Sequence, residues 1–284
     1  MTGTSPGVLH IVATPIGNLE DITLRAIRIL REVDLIAAED TRHTRKLLNH
    51  LDIHTPLISY YREKEQERGA VIIDRLKNGE NVALVSDAGT PGISDPGAIL
   101  VRLAHECGIT VSPVPGPSAL AAAISCTGFN EGGFLFLGFA PIKAGQRRKL
   151  LTALRYQEYP LVFYEAPRRI AAFLRDALTI LGDREALWAR ELTKTYEELR
   201  SAKLGELLER CADDNSRGEF VVVIGPGQQE QSSGENLEEL LVWYRDHSEL
   251  SVKDVSRKLA QDLGLSRSQV YQQALAIWQE KRSS

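Results

Sequence analysis

The chain has little cysteine, and its three cysteines, Cys107, Cys126 and Cys211, lie far apart. They form neither a disulfide framework nor the closely spaced pairs that bind zinc, which is typical of a protein in a reducing cytosol. No basic residue precedes Arg25, and no apolar run approaches the length that spans a bilayer. We therefore expect a cytoplasmic protein without a signal peptide or a membrane helix.

An excess of positive charge is also absent. The chain has 34 Lys and Arg residues against 38 Asp and Glu residues, a net charge of −4. The net charge therefore gives no indication of a nucleic-acid ligand, and any contact with RNA depends on local basic patches. The sequence has no G-x-G-x-x-G motif, no Walker lysine motif and no His-rich pair. These absences argue against NAD, nucleoside triphosphate and metal chemistry, and we expect no metal.

The 284 residues, 43% of them hydrophobic, are enough for two or three units. In the first part, strand-like runs alternate with amphipathic stretches, which predicts a mostly parallel sheet flanked by helices. Three prolines within 113–118 mark a boundary, because they interrupt a helix or a central strand. We predict an α/β protein with an N-terminal α/β domain at 1–115, a second α/β domain at 116–227 and a helical domain at 235–284.

The expected strands are short apolar runs. They are residues 8–13, 35–38, 56–60, 82–85, 110–112, 134–139, 161–164, 186–189 and 220–224. The expected helices lie near 24–33, 45–51, 63–77, 96–107, 119–126, 147–155, 167–181 and 203–211. Ser94 or Asp95 is placed to cap the fourth of these helices, with Pro96 in its first turn.

The C-terminal region has the pattern of a helix-turn-helix-like unit. Ser251 with Asp254, and Ser266 with Gln269, have the spacing of capping boxes and mark two helix starts. Gly264 supplies the turn between them. A polar linker at 228–234 precedes this unit.

Four loops stand out as candidate ligand contacts, because they follow strands or open a domain. They are residues 14–18, 39–42, 86–92 and 113–118. If the strands are parallel, the loops gather at one sheet edge and a ligand lies in the crevice between the two α/β domains. Their Gly and Pro content suits an adenosine or amino-acid moiety packed against backbone. The alternative is a set of tight connections without a ligand.

Six motifs occur in order along the chain. They are Thr14-Pro-Ile-Gly-Asn18, Ala38-Glu-Asp-Thr-Arg42, Ser86-Asp-Ala-Gly-Thr-Pro-Gly92, Pro115-Gly-Pro-Ser118, Phe163-Tyr-Glu-Ala-Pro167 and Arg190-Glu-Leu-Thr-Lys194. Together they resemble the tetrapyrrole methylase superfamily, most closely its bacterial ribosomal branch, the small-subunit ribosomal RNA methyltransferase I type. The resemblance covers residues 8 to 225. One departure is the first loop, which is Gly-rich in many members, and it weakens transfer of substrate rules from tetrapyrrole-acting relatives.

The resemblance implies an S-adenosyl-L-methionine-dependent 2′-O-methyltransferase that acts on a cytidine ribose in the decoding region of 16S rRNA in the small ribosomal subunit. It also implies two α/β domains of tetrapyrrole-methylase type with the cofactor cleft between them, and a homodimer. The implied cofactor contacts are Pro15, Asp87, Gly89, Thr90, Ile93, Ser118, Ala119, Tyr164, Leu192 and Pro226.

A ribose hydroxyl is a weak nucleophile, so a positioned base helps it, although alignment alone supplies much of the acceleration. Asp40 is the preferred candidate base. Glu39 and Glu165 are further acidic candidates, and Lys194 is one if its pKa is lowered. The alternative roles are structural: Asp40 can cap the next helix, and Glu165 can pair with Arg168.

RNA binding requires cations, because phosphate contacts supply most of the affinity. Three local clusters provide them: Arg42, Arg45 and Lys46; Lys143, Arg147, Arg148 and Lys149; and Arg168 with Arg169. Each cluster alone can also be an ordinary solvated face. Two rival functions stay open. A small-molecule, tetrapyrrole-type methyltransferase requires a large apolar trough, and a ligand-sensing DNA-binding regulator requires a basic recognition surface that the tail lacks.

Overall fold

The computed structural model describes residues 5–129, 132–213, 218–227, 234–248, 250–263 and 265–280. The chain separates into two compact units. Residues 1–155 and 159–226 form the first unit, and residues 156–158 and 227–284 form the second. The described residues of the first unit form two five-stranded sheets with their helices, and those of the second form three helices.

The first sheet is parallel and has the strand order β3-β2-β4-β1-β5. Its strands are β1 (Val8–Val12), β2 (Leu35–Ala38), β3 (Leu57–Ser59), β4 (Val82–Val85) and β5 (Thr110–Val114). Since all strands run the same way, their carboxyl ends lie at one edge, as predicted. Pro113 of β5 pairs with Ile11 of β1. A proline is tolerated there because β5 is an edge strand.

Four helices cover this sheet: α1 (Leu24–Glu32), α2 (Thr41–His50), α3 (Glu65–Lys77) and α4 (Ala98–Glu106). Alternate strand residues belong to two separate cores, with Leu84 in one and Val85 in the other. Both faces of the sheet are therefore buried, as an all-parallel sheet requires.

The predicted start of α4 is wrong. The helix begins at Ala98, and Gly97 occupies the N-cap position with a φ of 148° that favours glycine. The Gly97 N–H donates to Glu65 Oε1 at 3.0 Å. Neither Ser94 nor Asp95 caps the helix, so both side chains are left for another role.

The second sheet has the order β6-β7-β10-β8-β9. Its strands are β6 (Leu135–Phe139), β7 (Leu161–Glu165), β8 (Glu185–Arg190), β9 (Glu198–Lys203) and β10 (Phe220–Ile224). β6 and β7 are parallel, and the other neighbouring pairs are antiparallel. Helices α6 (Ala144–Ala153), α7 (Pro167–Leu181) and α8 (Leu204–Asp213) pack on one face, and α5 (Ala119–Ser125) packs on the other. The domain boundary at 115 and 116 stays a prediction.

The second unit consists of α9 (Gly234–His247), α10 (Val252–Leu263) and α11 (Arg267–Glu280). Their common core includes Leu241, Val255 and Val270. The capping box at the start of α10 is confirmed, because the Asp254 N–H donates to Ser251 Oγ at 3.2 Å and the Ser251 hydroxyl donates to Asp254 Oδ2 at 2.6 Å. The predicted turn at Gly264 and the linker at 228–233 lie outside the described residues. None of the helices that the structure describes has the length and apolarity that crossing a membrane requires.

Candidate functional site

Three of the predicted loops meet at the carboxyl edge of the first sheet. The Thr14 N–H donates to the Gly89 carbonyl at 2.9 Å, and the Gly89 N–H donates back at 3.0 Å. This pair of bonds joins the loop after β1 to the loop after β4. Asp87 Oδ1 accepts from the Asp40 N–H at 3.0 Å, which adds the loop after β2.

The fourth loop brings the second sheet to the same edge. Thr90 Oγ1 donates to the Pro117 carbonyl at 3.4 Å. Ser118 caps α5 as predicted and accepts from the Ala121 N–H. Tyr164 at the end of β7 accepts from the Leu120 N–H at 3.2 Å, so the start of α5 is tied to the second sheet.

A cleft of about 370 Å³ lies between these loops and the second sheet. Its volume is in the range of small-molecule sites. Seven of the positions predicted to bind the cofactor line it: Gly89, Thr90, Ile93, Ser118, Ala119, Tyr164 and Leu192. Pro15, Asp87 and Pro226 do not line the cleft that the structure describes. Ile16, the neighbour of Pro15, does line it, and Asp87 supports the loop after β2 instead.

The other lining residues were not named individually as cofactor contacts, although Ile16 and Ala88 belong to the predicted loops 14–18 and 86–92. These other residues are Ile16, Ala88, Ser94, Asp95, Phe139, Ala166, Pro167, Ala189, Glu191, Glu219, Phe220 and Val221. Glu191 follows β8 and Glu219 precedes β10, and they meet because these strands are antiparallel. Sequence order alone gives no signal for this pairing.

The turn at 191–194 forms a strained wall of the cleft. Glu191 and Thr193 have φ values of 49° and 65°, which side chains rarely adopt. Backbone bonds from the Glu191 N–H to the Glu219 carbonyl and from the Lys194 N–H to the Glu191 carbonyl, both 3.0 Å, hold the turn. A Cβ at Gly17 would lie 2.4 Å from Lys194 Cγ, so the loop after β1 packs directly on this turn.

Comparison with known proteins identifies the family. Residues 8–208 match the family described as Tetrapyrrole (Corrin/Porphyrin) Methylases. The chain belongs to the tetrapyrrole methylase family. A relative from Pseudomonas aeruginosa, named Ribosomal RNA small subunit methyltransferase I, is 48% identical over 276 residues, which are 95% of this chain and 98% of the relative. A relative of the same name from Escherichia coli O157:H7 is 42% identical and covers 95% and 96% of the two chains.

Solved structures show the same fold at low identity. Cobalt precorrin-4 methyltransferase superimposes with a TM-score of 0.59 at 17% identity, over 79% of this chain and 97% of the other. Uroporphyrin-III C-methyltransferase from Thermus thermophilus, complexed with S-adenyl homocysteine, has a TM-score of 0.54 at 22% identity, over 77% and 97%. The predicted family, the α/β fold with two sheets and the helical C-terminal region are confirmed, and the predicted cofactor agrees with these findings.

Lys194 is a cation of this tetrapyrrole methylase cleft. Its Nζ lies 2.9 Å from Glu191 Oε1 and 3.2 Å from Glu219 Oε2. Burial alone would lower the pKa of Lys194, but hydrogen bonds and attraction from the two carboxylates outweigh it, and the pKa is raised. Since Lys194 keeps its proton at neutral pH, the expectation that it acts as a base through a lowered pKa is wrong.

The three acidic candidates interact with groups other than a cofactor. Asp40 caps α2, and its hydrogen bonds with Arg42 hold the pKa of its carboxyl well below the usual range. Glu165 is buried, which raises its pKa, and it pairs with Arg169 at 3.1 Å rather than with the predicted Arg168. Burial and the neighbouring Asp95 raise the pKa of Glu39. None of the three lines the cleft in the part of the chain that the structure describes.

Most of the predicted RNA-binding cations are exposed. They are Arg42, Arg45 and Lys46 on α2, Lys143, Arg148 and Lys149 at α6, and Arg168 on α7. Arg147 is the exception, because its side chain is buried and its Nη2 lies 2.6 Å from Asp176 Oδ2. The expectation that Arg147 contacts RNA is therefore wrong, since a buried guanidinium cannot reach phosphate.

Proposed function

We propose that this tetrapyrrole methylase transfers a methyl group from S-adenosyl-L-methionine to the 2′-hydroxyl of a cytidine ribose in the decoding region of 16S rRNA. The observation that carries the proposal is the 48% identity, over nearly the whole of both chains, to a relative named for small-subunit ribosomal RNA. The ribose position and the cytidine come from the family resemblance of the six motifs. The homodimer and the cytoplasmic location stay predictions.

The charge of the cleft supports a cationic ligand. Among the described residues that line the cleft, those that carry a charge at neutral pH are Asp95, Glu191, Glu219 and Lys194, three acidic side chains and one basic side chain. Opposite charge stabilises a bound ion most strongly where water is excluded. A sulfonium cofactor therefore suits the interior, whereas RNA phosphates suit the exposed cations outside it.

The cofactor contacts that we propose combine backbone and small side chains. Gly89 has a φ of 77°, a conformation that favours glycine and lets the loop backbone approach a ligand. Thr90, Ser118 and Ala119 add small side chains to the lining, and Leu192 and Tyr164 add larger apolar surface. When bound, S-adenosyl-L-methionine supplies an activated methyl group. The residues of the cleft align this group with the acceptor hydroxyl and exclude water.

The rim of the cleft suits an unstacked nucleotide. Ile93 and Phe139 line the cleft, yet 52% and 55% of their surfaces remain exposed. The Phe139 ring stands edge-on to Tyr164, with centroids 5.7 Å apart. Sequence-specific proteins commonly stack splayed RNA bases on such aromatic rings. The exposed cations of α2, α6 and α7 would then bind the flanking phosphates.

One assay tests this function against its rivals. Purified protein and labelled S-adenosyl-L-methionine are incubated with small ribosomal subunits, free 16S rRNA, uroporphyrinogen III or duplex DNA, and the methylated position is mapped by mass spectrometry. We expect one new methyl group on a cytidine ribose of the rRNA. A methyl group on a base, or transfer to the tetrapyrrole alone, would contradict the proposal.

A further inference from the structure

Beyond its contribution to the negative charge of the cleft, the carboxylate of Asp95 has no assigned role. It lies on the segment between β4 and α4, and α4 is capped by Gly97 rather than by Asp95. Within the described residues Asp95 forms no ion pair, whereas Glu191 and Glu219, the other lining carboxylates, are both paired with Lys194. Asp95 is thus the lining carboxylate that is left to accept a proton.

The surroundings of Asp95 favour proton uptake. Burial raises its pKa, the polar Ser86 hydroxyl nearby opposes this, and the charges of Asp87 and Glu219 add to the increase while Arg62 reduces it. The net effect is a raised pKa. Asp95 also interacts electrostatically with Glu39 and with the Tyr164 hydroxyl. A base whose pKa lies closer to the working pH transfers protons more efficiently.

We propose that Asp95 is the general base that accepts the proton of the ribose 2′-hydroxyl, an inference that rests on the proposed function. The O–H bond breaks and its proton moves to the Asp95 carboxylate. The ribose oxygen forms its new bond to the methyl carbon as the carbon–sulfur bond of the cofactor breaks, which leaves a neutral sulfide. Asp95 then releases the proton to water.

The test compares Asp95→Asn, Asp95→Glu and the wild-type protein in single-turnover transfer to small ribosomal subunits at saturating S-adenosyl-L-methionine. Asp74→Asn, which changes an exposed carboxyl on α3, is the matched control. We expect Asp95→Asn to slow transfer by roughly 10²- to 10⁴-fold, the usual contribution of a positioned base. Asp95→Glu should recover part of the rate, and Asp74→Asn should keep all of it. Unchanged melting temperatures show that the variants fold.

Two further readouts separate a base from a binding residue. Calorimetry with S-adenosylhomocysteine should give the same affinity for Asp95→Asn as for the wild type. The wild-type rate should rise with pH until Asp95 is deprotonated, and the variant should lack this rise. Suppose that the wild-type protein methylates a ribose, but Asp95→Asn keeps its rate or loses it only through weaker cofactor binding. Asp95 is then not the base, and the proposed function still stands. If wild-type protein methylates no ribose, the proposed function fails and the inference fails with it.

Discussion

At the scale of single residues, Arg147 and Arg148 show how adjacent cations take different roles. Both contact Asp176, but the Arg147 side chain is 8% exposed and that of Arg148 is 63% exposed. Burial alone would raise the pKa of Asp176, yet the hydrogen bonds from the two arginines lower it overall. Asp176 is therefore ionised at neutral pH, and it depends on these partners.

We predict that Arg147→Met lowers the free energy of unfolding by about 3 kcal/mol, because it leaves a buried carboxylate short of its main partner. Arg148→Gln, the matched control, should cost about 1 kcal/mol or less, since most of that side chain is in water. Urea denaturation at pH 7 measures both. The difference between the variants should shrink as the pH falls through the lowered pKa of Asp176, since a protonated carboxyl needs no cation. Equal costs at pH 7 would argue against this account.

Sequence motifs identified residues that line the cleft where they fixed the loop backbone, and the prediction was wrong for Arg147, whose side chain has a distant partner. The motif 86–92 predicted Gly89 and Thr90 because the loop backbone itself forms the cleft. Arg147 looked like part of a surface cluster, although Leu151 and Leu154 follow it at helical spacing on one buried face. Its partner Asp176 lies 29 residues away on another helix, and no local pattern reveals that contact.

At the scale of elements, the cleft depends on the packing of the loop after β1 against the turn at 191–194. The Asn18 N–H donates to Thr193 Oγ1 at 3.1 Å. At Gly17 a Cβ would also lie 2.9 Å from the Leu192 carbonyl, so any larger residue must push the two elements apart. Because Ile16 and Leu192 both line the cleft, such a shift would change its width.

We predict that Gly17→Ala weakens binding of S-adenosylhomocysteine about tenfold or more, which corresponds to about 1.4 kcal/mol. Isothermal titration calorimetry measures the affinity, and circular dichroism checks the fold. Gly145→Ala on α6 is the control, because a Cβ there meets nothing within 4 Å and alanine favours a helix. An unchanged affinity in Gly17→Ala would show that this contact does not shape the site.

Elements were predicted well where apolar periodicity was strong. The five parallel strands follow from their apolar runs and intervening helices, which bury both faces of the sheet. β9 was missed because its sequence, Glu-Leu-Arg-Ser-Ala-Lys, is polar and mostly exposed at a sheet edge. The start of α4 was misplaced because Glu65, from another helix, binds the Gly97 N–H. In both cases a tertiary contact decided the outcome.

At the scale of the whole molecule, the cleft and the C-terminal helices belong to different compact units. Every residue that lines the cleft lies in the first unit. The second unit has its own core, in which Leu241, Val255 and Val270 are buried. Cofactor binding and the function of the tail should therefore be separable.

We predict that a chain ending at Pro226 folds and binds S-adenosylhomocysteine with an affinity within about threefold of the full chain, a free-energy difference of less than about 1 kcal/mol. The truncation removes the hydrogen bond from the Gly227 N–H to the Gln157 carbonyl. It removes no residue from the hydrophobic cores described for the two sheets. If the tail serves substrate docking, truncation should raise the KM for small ribosomal subunits more than it lowers kcat, because docking adds ground-state binding. A folded truncated chain that no longer binds S-adenosylhomocysteine would instead assign the tail a role in the cofactor site itself.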